Sequence, residues 1–310
     1  MVCWNLTQRA GLDMSRITVR RKVIALSVGQ SCVAAEDWLA AEEPLEIRVG
    51  GRSLVVTMRT PGHDVDLAAG FLVSEGVITA GEDLSAARYC AGVNDQGQNT
   101  YNILDVTLAP GVAPPDPRLE RSFYTTSSCG LCGKASIDAV RTHSAFDVRD
   151  DALRVDAELL VTFPAKLRSG QAVFEKTGGL HAAALFDGVS GQMLVLREDV
   201  GRHNAVDKVV GWALKADRLP LAGTVLMVSG RASFELAQKA MMAGIPVLAA
   251  ISAPSSLAAA LATELGMTLV GFMRGSSMVI YAGGERVVVA ASSAAASAAS
   301  GVRPGPPARR

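Results

Sequence analysis

The second half of this 310-residue chain predicts an α/β fold, with a sheet that is covered by helices on both faces. Three observations support the prediction. From residue 172 onward, short apolar runs such as 224–228 alternate with segments of helical periodicity. Glycines close two of the helical segments, at Gly244 and Gly266. The apolar runs have the length of strands that are buried on both faces, which is typical of a sheet wrapped by helices.

The N-terminal half predicts a smaller α+β subdomain over 21–117, after a flexible leader at 1–20. Alternation of apolar and polar residues predicts its strands, which are expected at 20–33, 37–49, 52–58, 88–90 and 102–108. A Gly50-Gly51 pair predicts the hairpin turn between the second and third of them. Periodicity over 64–75 predicts a helix, with Asp64 as its N-cap.

The α/β domain is expected to span 118–290, and a disordered tail rich in alanine, serine and proline to follow at 291–310. The segment 157–167 is predicted to be irregular or partly helical, because Pro164 limits a helix. A helix is predicted to open after the Gly178-Gly179 pair. The remaining strands are expected at 193–198, 224–228, 246–250, 268–272, 279–281 and 286–290, and the remaining helices at 203–214, 234–243 and 255–265.

The helix that ends near 214 is predicted to be amphipathic. Its apolar stripe consists of Val206, Val209, Val210, Ala213 and Leu214. His203 and Asp207 are four residues apart on the opposite side, and so are Asn204 and Lys208. The pattern therefore predicts that these four polar residues face away from the core.

Composition argues against two kinds of partner. Apolar residues make up 49% of the chain, which allows a sizeable core. The 30 Lys and Arg residues balance 30 Asp and Glu residues, which disfavours binding to nucleic acid through bulk positive charge. The longest apolar region, 245–262, is interrupted by proline and serine, so no membrane span is expected. Five cysteines without a dense framework indicate a reducing, cytoplasmic compartment.

Two cysteines, Cys129 and Cys132, are the most chemically suggestive feature of the chain. They lie in a loop at 125–134 that is rich in serine and glycine, and Lys134 follows the second of them. A helix is predicted directly after this loop, and its positive N-terminal end would point back at the thiols. Both features lower the pKa of a thiol and favour the nucleophilic thiolate. The loop therefore predicts sulfur chemistry.

Residue types alone leave several interpretations of this pair open. A zinc site usually needs a second pair, which Cys3, Cys32 and Cys90 do not form, so no metal site is expected. A thioredoxin-like pair would follow a strand in a small domain. A phosphate-binding P-loop needs other residues where Ser128 and Ala135 stand. The two remaining interpretations are a cysteine that carries sulfur as a persulfide, assisted by the other, and a pair of loop cysteines without a role.

Glycine stands beside arginine at the ends of three predicted strands. These pairs are Gly201-Arg202, Gly230-Arg231 and Arg274-Gly275. In α/β sheets, ligands bind beyond the C-terminal ends of strands, where helix N-termini point. Glycine lets backbone N–H groups approach a ligand, and arginine forms bidentate hydrogen bonds with phosphate. The pairs therefore predict an anionic ligand that carries phosphate.

Several long segments resemble the FdhD family, the formate dehydrogenase accessory sulfurtransferases. The matching segments are SSCGLCGK (127–134), TGGLHAAALF (177–186), REDVGRHNAVDKVVG (197–211) and the stretch from 229 to 275. The N-terminal segments EEPLEIRVGG and TMRTPGHDVDLAAGFLVSEGVI also resemble this family. The resemblance implies a fold similar to the cytidine deaminase-like three-layer α/β sandwich, with the smaller subdomain at its N-terminal side.

The resemblance also implies a function. The protein would take sulfur from a cysteine desulfurase as a persulfide on Cys129, with Cys132 as its partner. It would pass the sulfur to the molybdenum or tungsten of the bis-molybdopterin guanine dinucleotide cofactor, which formate dehydrogenase needs for activity. The family's cofactor-binding stretch matches Phe272, Met273, Arg274, Gly275, Ser276 and Ser277. A homodimer is implied as well.

Further cofactor contacts are expected from glycine, arginine and histidine residues near the predicted strand ends. These candidates are Gly178, Gly179, His181, Gly201, Arg202, Gly230 and Arg231. For His181 and His203, a role as a helix cap or as a buried, hydrogen-bonded group is as compatible with the sequence as a contact with the cofactor or a partner. A deaminase would carry H-x-E before its cysteine pair, whereas His181 is followed by two alanines, so deamination is not expected. The alternative function is a chaperone that binds the molybdenum cofactor without transferring sulfur.

Overall fold

The computed structural model describes residues 17–29, 32–90, 92, 101–115 and 144–289. The predicted cysteine loop at 125–134, with Cys129 and Cys132, lies outside these ranges, as do residues 1–16 and the predicted tail at 291–310. Residues 18–20, assigned above to the leader, are the first residues of a strand.

The N-terminal region consists of a two-stranded ribbon and a four-stranded sheet. In the ribbon, β1 (Thr18–Ala25) pairs antiparallel with β2 (Val33–Ala40). The sheet strands are β3 (Glu43–Val49), β4 (Arg52–Arg59), β5 (Leu84–Tyr89) and β6 (Ile103–Leu108), in the order β4-β3-β6-β5. The predicted hairpin at Gly50-Gly51 is confirmed, and both glycines have positive φ. The predicted strands 20–33 and 37–49 are wrong in their bounds, because β2 pairs with β1 and ends before β3 begins.

Helix α1 spans Asp64–Ser74, close to its predicted bounds. The prediction that Asp64 caps it is wrong. His63 occupies the cap position in a left-handed conformation, and its side chain makes no capping hydrogen bond with the described helix. Asp64 is instead buried against Arg59, whose Nη2 donates to Oδ2 of Asp64 at 2.9 Å. Arg59 is fully buried, and a buried guanidinium without a carboxylate costs more than an uncapped helix end.

The C-terminal region alternates strands with helices, as predicted. Its helices are α2 (Ala157–Leu160), α3 (Phe163–Gly170), α4 (Ala172–Thr177), α5 (Arg202–Lys215), α6 (Phe234–Met242) and α7 (Ser256–Leu265). Its strands are β7 (Val155–Asp156), β8 (His181–Asp187), β9 (Met193–Asp199), β10 (Thr224–Val228), β11 (Val247–Ala250), β12 (Thr268–Arg274), β13 (Ser277–Ala282) and β14 (Val287–Val288). A six-stranded sheet has the order β13-β12-β11-β10-β8-β9, and β7 pairs with β14.

The predicted helix after Gly178-Gly179 is wrong, since this segment is strand β8. Ala182, Ala184 and Phe186 belong to the core on one face of the sheet, and Ala183 and Leu185 to the core on the other. A run of alanines favours a helix by intrinsic propensity. Here small side chains fill a central strand that has no exposed face, so tertiary packing overrides that propensity.

Helices cover both faces of the six-stranded sheet, which gives the predicted three-layer α/β arrangement. On one face, Leu226, Leu248 and Leu269 belong to the same apolar cluster as buried residues of α5, α6 and α7. On the other face, Phe186 stacks on Phe163 of α3, with ring centroids 4.1 Å apart. Pro164 lies in the first turn of α3, where a backbone N–H has no partner within the helix and proline is tolerated.

The N-terminal sheet joins this core through a close crossing of α1 and α5. A Cβ atom on Gly70 would overlap the carbonyl oxygen of Asp207, and one on Gly211 would overlap that of Asp66. Glycine at both positions therefore lets the two helices pack backbone against backbone. Among the residues described, none of the helices has the length and hydropathy that crossing a membrane requires.

Candidate functional site

The predicted cofactor-binding residues lie along one edge of the six-stranded sheet. Strands β9, β10, β11 and β12 point the same way, so their C-terminal ends share an edge, and the antiparallel β8 begins there. Gly178, Gly179 and His181 lie at the start of β8, Gly201 and Arg202 after β9, Gly230 and Arg231 after β10, and residues 272–277 at the end of β12. Four steps of about 4.8 Å separate β12 from β9, so the edge is about 19 Å long.

Three helices of the described part of the chain begin at this edge. Helix α5 starts at Arg202, α6 follows Ser233, and α7 follows Ser255, whose Oγ accepts a hydrogen bond from the backbone N of Ala258 at 3.2 Å. Each helix N-terminus carries about half a positive elementary charge and unpaired N–H groups. The edge is therefore electrostatically suited to anions, phosphate above all.

Arg202, His181 and Gly230 meet at this edge. A Cβ atom on Gly230 would lie 3.5 Å from Nδ1 of His181 and 3.9 Å from Cδ of Arg202. Nε of Arg202 is buried and has no hydrogen-bond partner in the described part of the chain. The structure thus brings Arg202 and Gly230, which come from two of the predicted glycine–arginine pairs, close to His181. Among the described residues, one guanidinium donor of Arg202 is left unsatisfied.

Burial and Arg202 together keep two histidines neutral. Burial lowers the pKa of His181, and the positive charge of Arg202 lowers it further. The pKa of His203 is lowered to about 4, first by burial and then by Arg202 and Lys239. Nε2 of His203 lies 3.4 Å from Oγ of Ser233. At neutral pH, the positive charge of this part of the edge therefore comes from arginine and helix ends, not from imidazolium.

The stretch 272–277 lies at the other end of the edge. Phe272 and Gly275 have positive φ angles of 51° and 56°. Arg274, Gly275, Ser276 and Ser277 are exposed, and Oγ of Ser277 donates to the carbonyl oxygen of Arg274 at 2.9 Å. Met273 is 1% exposed and packs into the core. Of the six predicted contact residues, Met273 is thus the one whose side chain faces the protein interior.

The glycine amides are less available than the sequence suggests. The backbone N of Gly201 donates to Oδ1 of Asp199 at 2.8 Å, and that of Gly178 to the carbonyl oxygen of Phe174 at 2.7 Å. Gly178 ends helix α4 with a φ of 67°. These two glycines therefore shape the backbone, and a ligand would meet side chains and helix ends in their place. Arg231 is exposed.

Several polar residues of the segment 197–211 hold the framework together. Nζ of Lys208 lies 2.7 Å from Oδ2 of Asp199 and donates to the carbonyl oxygen of Thr60 at 2.9 Å. Nδ2 of Asn204 donates to Oδ1 of Asp199 at 3.0 Å and to the carbonyl oxygen of Met58 at 2.8 Å. These contacts tie β4 to β9 and α5. The prediction that Asn204 and Lys208 face away from the core is wrong, because the N-terminal region covers that side of α5.

Asp207 is also buried, contrary to prediction, and its partners were not found from the sequence. Lys239 of α6 lies 2.9 Å from its carboxylate, and Oγ of Ser74 donates to it at 2.8 Å. Burial raises the pKa of Asp207, while Lys239 acts in the opposite direction. The spacing of Glu235 and Lys239, four residues apart, is typical of a polar helix face. No local pattern indicated that this face meets α5.

No group of three or more His, Cys, Asp or Glu side chains within the described ranges is placed so that it could hold a metal ion. Two cysteines lie in those ranges, the exposed Cys32 and the half-buried Cys90. The predicted persulfide chemistry concerns residues 129 and 132, whose surroundings lie outside the described residues, so it stays a prediction.

Comparison with known proteins supports the resemblance noted from the sequence. The sulfur carrier protein FdhD of Mycolicibacterium paratuberculosis is 61% identical over 272 residues, which cover 88% of this chain and 99% of the relative. The protein of the same name from Streptomyces coelicolor is 62% identical over 275 residues, covering 88% and 97%. That from Mycobacterium tuberculosis is 57% identical over 277 residues, covering 88% and 100%.

A solved structure shows the same fold. The crystal structure of a protein described as a formate dehydrogenase accessory protein, from Desulfotalea psychrophila, superposes with a TM-score of 0.67 at 23% identity, covering 88% of this chain and 100% of that one. Residues 40–288 match the sequence model of the FdhD/NarQ family. The matched residues include α5, its buried polar partners and the whole sheet edge described above. The chain therefore belongs to the FdhD/NarQ family.

Proposed function

We propose that this chain is a sulfur carrier for formate dehydrogenase. It takes sulfur from a cysteine desulfurase as a persulfide on Cys129 and delivers it to the bis-molybdopterin guanine dinucleotide cofactor of molybdenum or tungsten, which is its substrate. The observation that carries the proposal is the sheet edge, along which Arg202, His181 and the N-termini of α5, α6 and α7 lie. Relatives named sulfur carrier protein FdhD, at about 60% identity, support the carrier role. The family resemblance further supports a cytoplasmic homodimer.

The transfer begins with the thiolate of Cys129. It attacks the terminal sulfur of the donor's persulfide, the S–S bond of the donor breaks, and the donor cysteine leaves as a thiolate. Cys129 then holds the sulfur, with no net oxidation. Cys132 has two possible roles. In the first, its thiolate attacks the inner sulfur of the Cys129 persulfide, forms a disulfide with Cys129 and releases sulfide, so that the two cysteine thiolates supply the two electrons. In the second, Cys132 only adjusts the pKa of Cys129.

The cofactor substrate has the charge that the edge is suited to. Its two dinucleotides carry phosphates, which match the guanidinium of Arg202 and the N-termini of α5, α6 and α7. Arg274 and the exposed serines beside it offer a second anchoring point about 19 Å along the edge, by the spacing of strands. Two anchoring points suit a substrate that has two nucleotide arms.

The test is mass spectrometry of the full chain after incubation with a cysteine desulfurase and cysteine. We expect a gain of one sulfur atom in the wild-type protein and its loss in Cys129→Ala. Cys32→Ala is the matched control, because Cys32 is exposed and lies outside the proposed transfer loop. Sulfur gain at the wild-type level in Cys129→Ala contradicts the proposal.

A second candidate function is a chaperone that binds the cofactor without transferring sulfur. It is favoured by the sheet edge suited to anions, because none of the residues that form this edge is a cysteine. The double variant Cys129→Ala/Cys132→Ala separates the two functions in cells that depend on this chain for formate dehydrogenase activity. Full dehydrogenase activity in these cells favours the chaperone, and loss of activity favours the sulfur carrier.

A further inference from the structure

The antiparallel ribbon of β1 and β2 is anchored to the rest of the protein at the end where β1 begins and β2 ends. There, Nζ of Lys176 lies 3.5 Å from the ring centroid of Trp38, and a Cβ atom on Gly179 would lie 3.6 Å from Cβ of Ala40. Beyond this anchor, most residues of both strands are exposed. The ribbon is therefore an arm that extends from the region of Gly179 into solvent.

The outer half of this arm is apolar. No charged residue occurs in the segment 23–35, which contains the end of β1, the connecting turn and the start of β2. Ile24, Leu26 and Val33 are 75%, 66% and 58% exposed, and Val28 is fully exposed. Single exposed aliphatic residues are ordinary on a protein surface, whereas a group of them around one turn marks an interaction site.

The outer edge of β1 is open to pairing. Strand β1 pairs with β2 alone, and from residue 19 to 25 its outward N–H and C=O groups have no backbone partner in the part of the chain that the structure describes. In an antiparallel pair, every second residue directs these groups away from the neighbouring strand. The eight residues of β1 thus form an edge about 27 Å long, which can accept one more strand.

The inner half of the same edge is basic. Arg20, Arg21 and Lys22 follow one another along β1, and the acidic residues Glu36 and Asp37 lie on β2. Arg20 forms an ion pair with Glu36, whereas Arg21 and Lys22 have no ion-pair partner within the described ranges. An added strand with acidic residues beside these cations would be stabilised, because opposite charges on adjacent strands attract.

Charge and backbone geometry disfavour two other occupants. Antiparallel pairing of β1 with β1 of a second copy, over the full strand, places Arg21 of one copy beside Lys22 of the other. The same pairing of β2 places Glu36 beside Asp37, and like charges directly opposite destabilise a sheet. Pairing of β1 with β2 of a second copy is head-to-tail and does not form a two-fold dimer. A bilayer would leave the outward N–H and C=O groups of the ribbon without partners.

We propose that the outer edge of β1 binds an extended segment of a partner protein as an added strand. The segment carries acidic residues beside Arg20, Arg21 and Lys22, and aliphatic residues beside 23–25 and the apolar tip of the arm. This binding site is independent of the proposed sulfur transfer. A partner held there lies near the ligand-suited edge of the six-stranded sheet, because the base of the arm contacts Gly179.

The test is fluorescence anisotropy of the full chain with labelled peptides of eight residues, the length of β1. The acidic peptide VIVEDEVT sets its three carboxylates opposite the three cations when it pairs antiparallel with β1. It should bind at least about tenfold more tightly than the basic peptide VIVKKKVT, because three attractive pairs become repulsive. The acidic peptide with N-methyl groups along its backbone lacks the N–H donors of a strand, and should bind no better than the basic one.

Two double variants locate the site. Arg21→Glu/Lys22→Glu should reverse the preference between the acidic and the basic peptide. Arg52→Glu/Arg218→Glu is the matched control, because it changes the net charge equally at exposed positions outside the ribbon. Ile24→Ser/Leu26→Ser should weaken binding of the acidic peptide by about tenfold or more, since apolar contact area is lost. Thermal unfolding confirms that each variant is folded.

The proposed strand site is overturned if the acidic peptide does not bind, if the basic or the N-methylated peptide binds as tightly, or if the Arg52/Arg218 control reverses the preference as well. Two further measurements assign the arm to another occupant and overturn the proposal too. One is sedimentation velocity in which Ile24→Ser/Leu26→Ser converts a dimer to a monomer. The other is binding to vesicles of phosphatidylcholine and phosphatidylglycerol that the same variant abolishes.

Discussion

The first two residues of α5 and the polar residues that follow them differ in how their polar groups are satisfied. Asn204, Asp207 and Lys208 are buried, and each is bonded to other buried groups. Arg202 and His203, directly before them, are half-buried, and Nε of Arg202 has no partner within the described ranges. One continuous polar motif thus contains both framework residues and ligand-facing residues, and only their surroundings separate the two groups.

The difference has an energetic reason. A buried charge is tolerated only when it is paired, so the inner turns of α5 are fully connected. A buried donor without a partner costs about 1–3 kcal/mol, and a bound anion would remove this cost at Arg202. If the comparison is right, substitutions of Asn204, Asp207 and Lys208 reduce stability, whereas substitutions of Arg202 and His203 reduce ligand binding.

The largest loss of stability is expected for Lys208→Met. The substitution leaves Asp199, which is 0% exposed, without its cation, and breaking a buried pair costs about 3–5 kcal/mol. Urea unfolding measures the change in the free energy of unfolding. Lys215→Met is the control, because Lys215 is partly exposed and its partner Asp66 keeps Arg197. A loss of unfolding free energy below about 1 kcal/mol for Lys208→Met would contradict the claim that the buried pair of Lys208 and Asp199 stabilises the fold.

A somewhat smaller loss is expected for Gly70→Ala at the crossing of α1 and α5. The new methyl group overlaps the backbone of Asp207, and overpacking of this kind costs about 1–3 kcal/mol or more. The control is Gly284→Ala, where the nearest atom would lie 3.7 Å from the added Cβ. Equal midpoints of thermal unfolding for the two variants would show that the crossing tolerates a side chain.

A pH effect is expected from His203, whose pKa is lowered to about 4 in the folded protein. The unfolded chain binds a proton near pH 6.5, so this residue's contribution to stability is lost as the pH falls from about 6.5 to 4. The side chain is 36% exposed, so solvent screening limits the effect to less than about 1 kcal/mol. Between pH 7 and 5, His203→Gln should lose less stability than the wild type, and an equal loss contradicts the assignment.

No loss of stability is expected for Arg202→Met, because the substitution removes a buried donor that has no partner among the described residues. Loss of a bidentate partner for phosphate should nevertheless weaken GDP binding by about tenfold or more. Arg218→Met is the control, because Arg218 is exposed beyond the other end of the same helix. The comparison breaks down if Arg202→Met unfolds the protein while GDP binding by the folded fraction is unchanged.

Local patterns predicted the hairpin at Gly50-Gly51, the strands β10 to β12 and the helices between them, because these elements have the periodicity and glycine ends that their conformations require. The same reasoning failed at β8, where alanine favours a helix but both faces of the strand are covered. It also failed at Asp64, a residue type that suits a helix cap, because its carboxylate is hydrogen-bonded to the buried Arg59.

The sequence by itself determined the family and the α/β class, since both depend on residues that are close together along the chain. It also placed glycine, arginine and histidine at the strand ends. Only the tertiary structure decided that His181, Arg202 and Gly230 lie close together, that Asp207 and Lys208 are framework residues, and that α5 and α6 line a cavity with the N-terminal sheet. Such contacts depend on strand order, strand direction and the packing of distant segments, which no local pattern encodes.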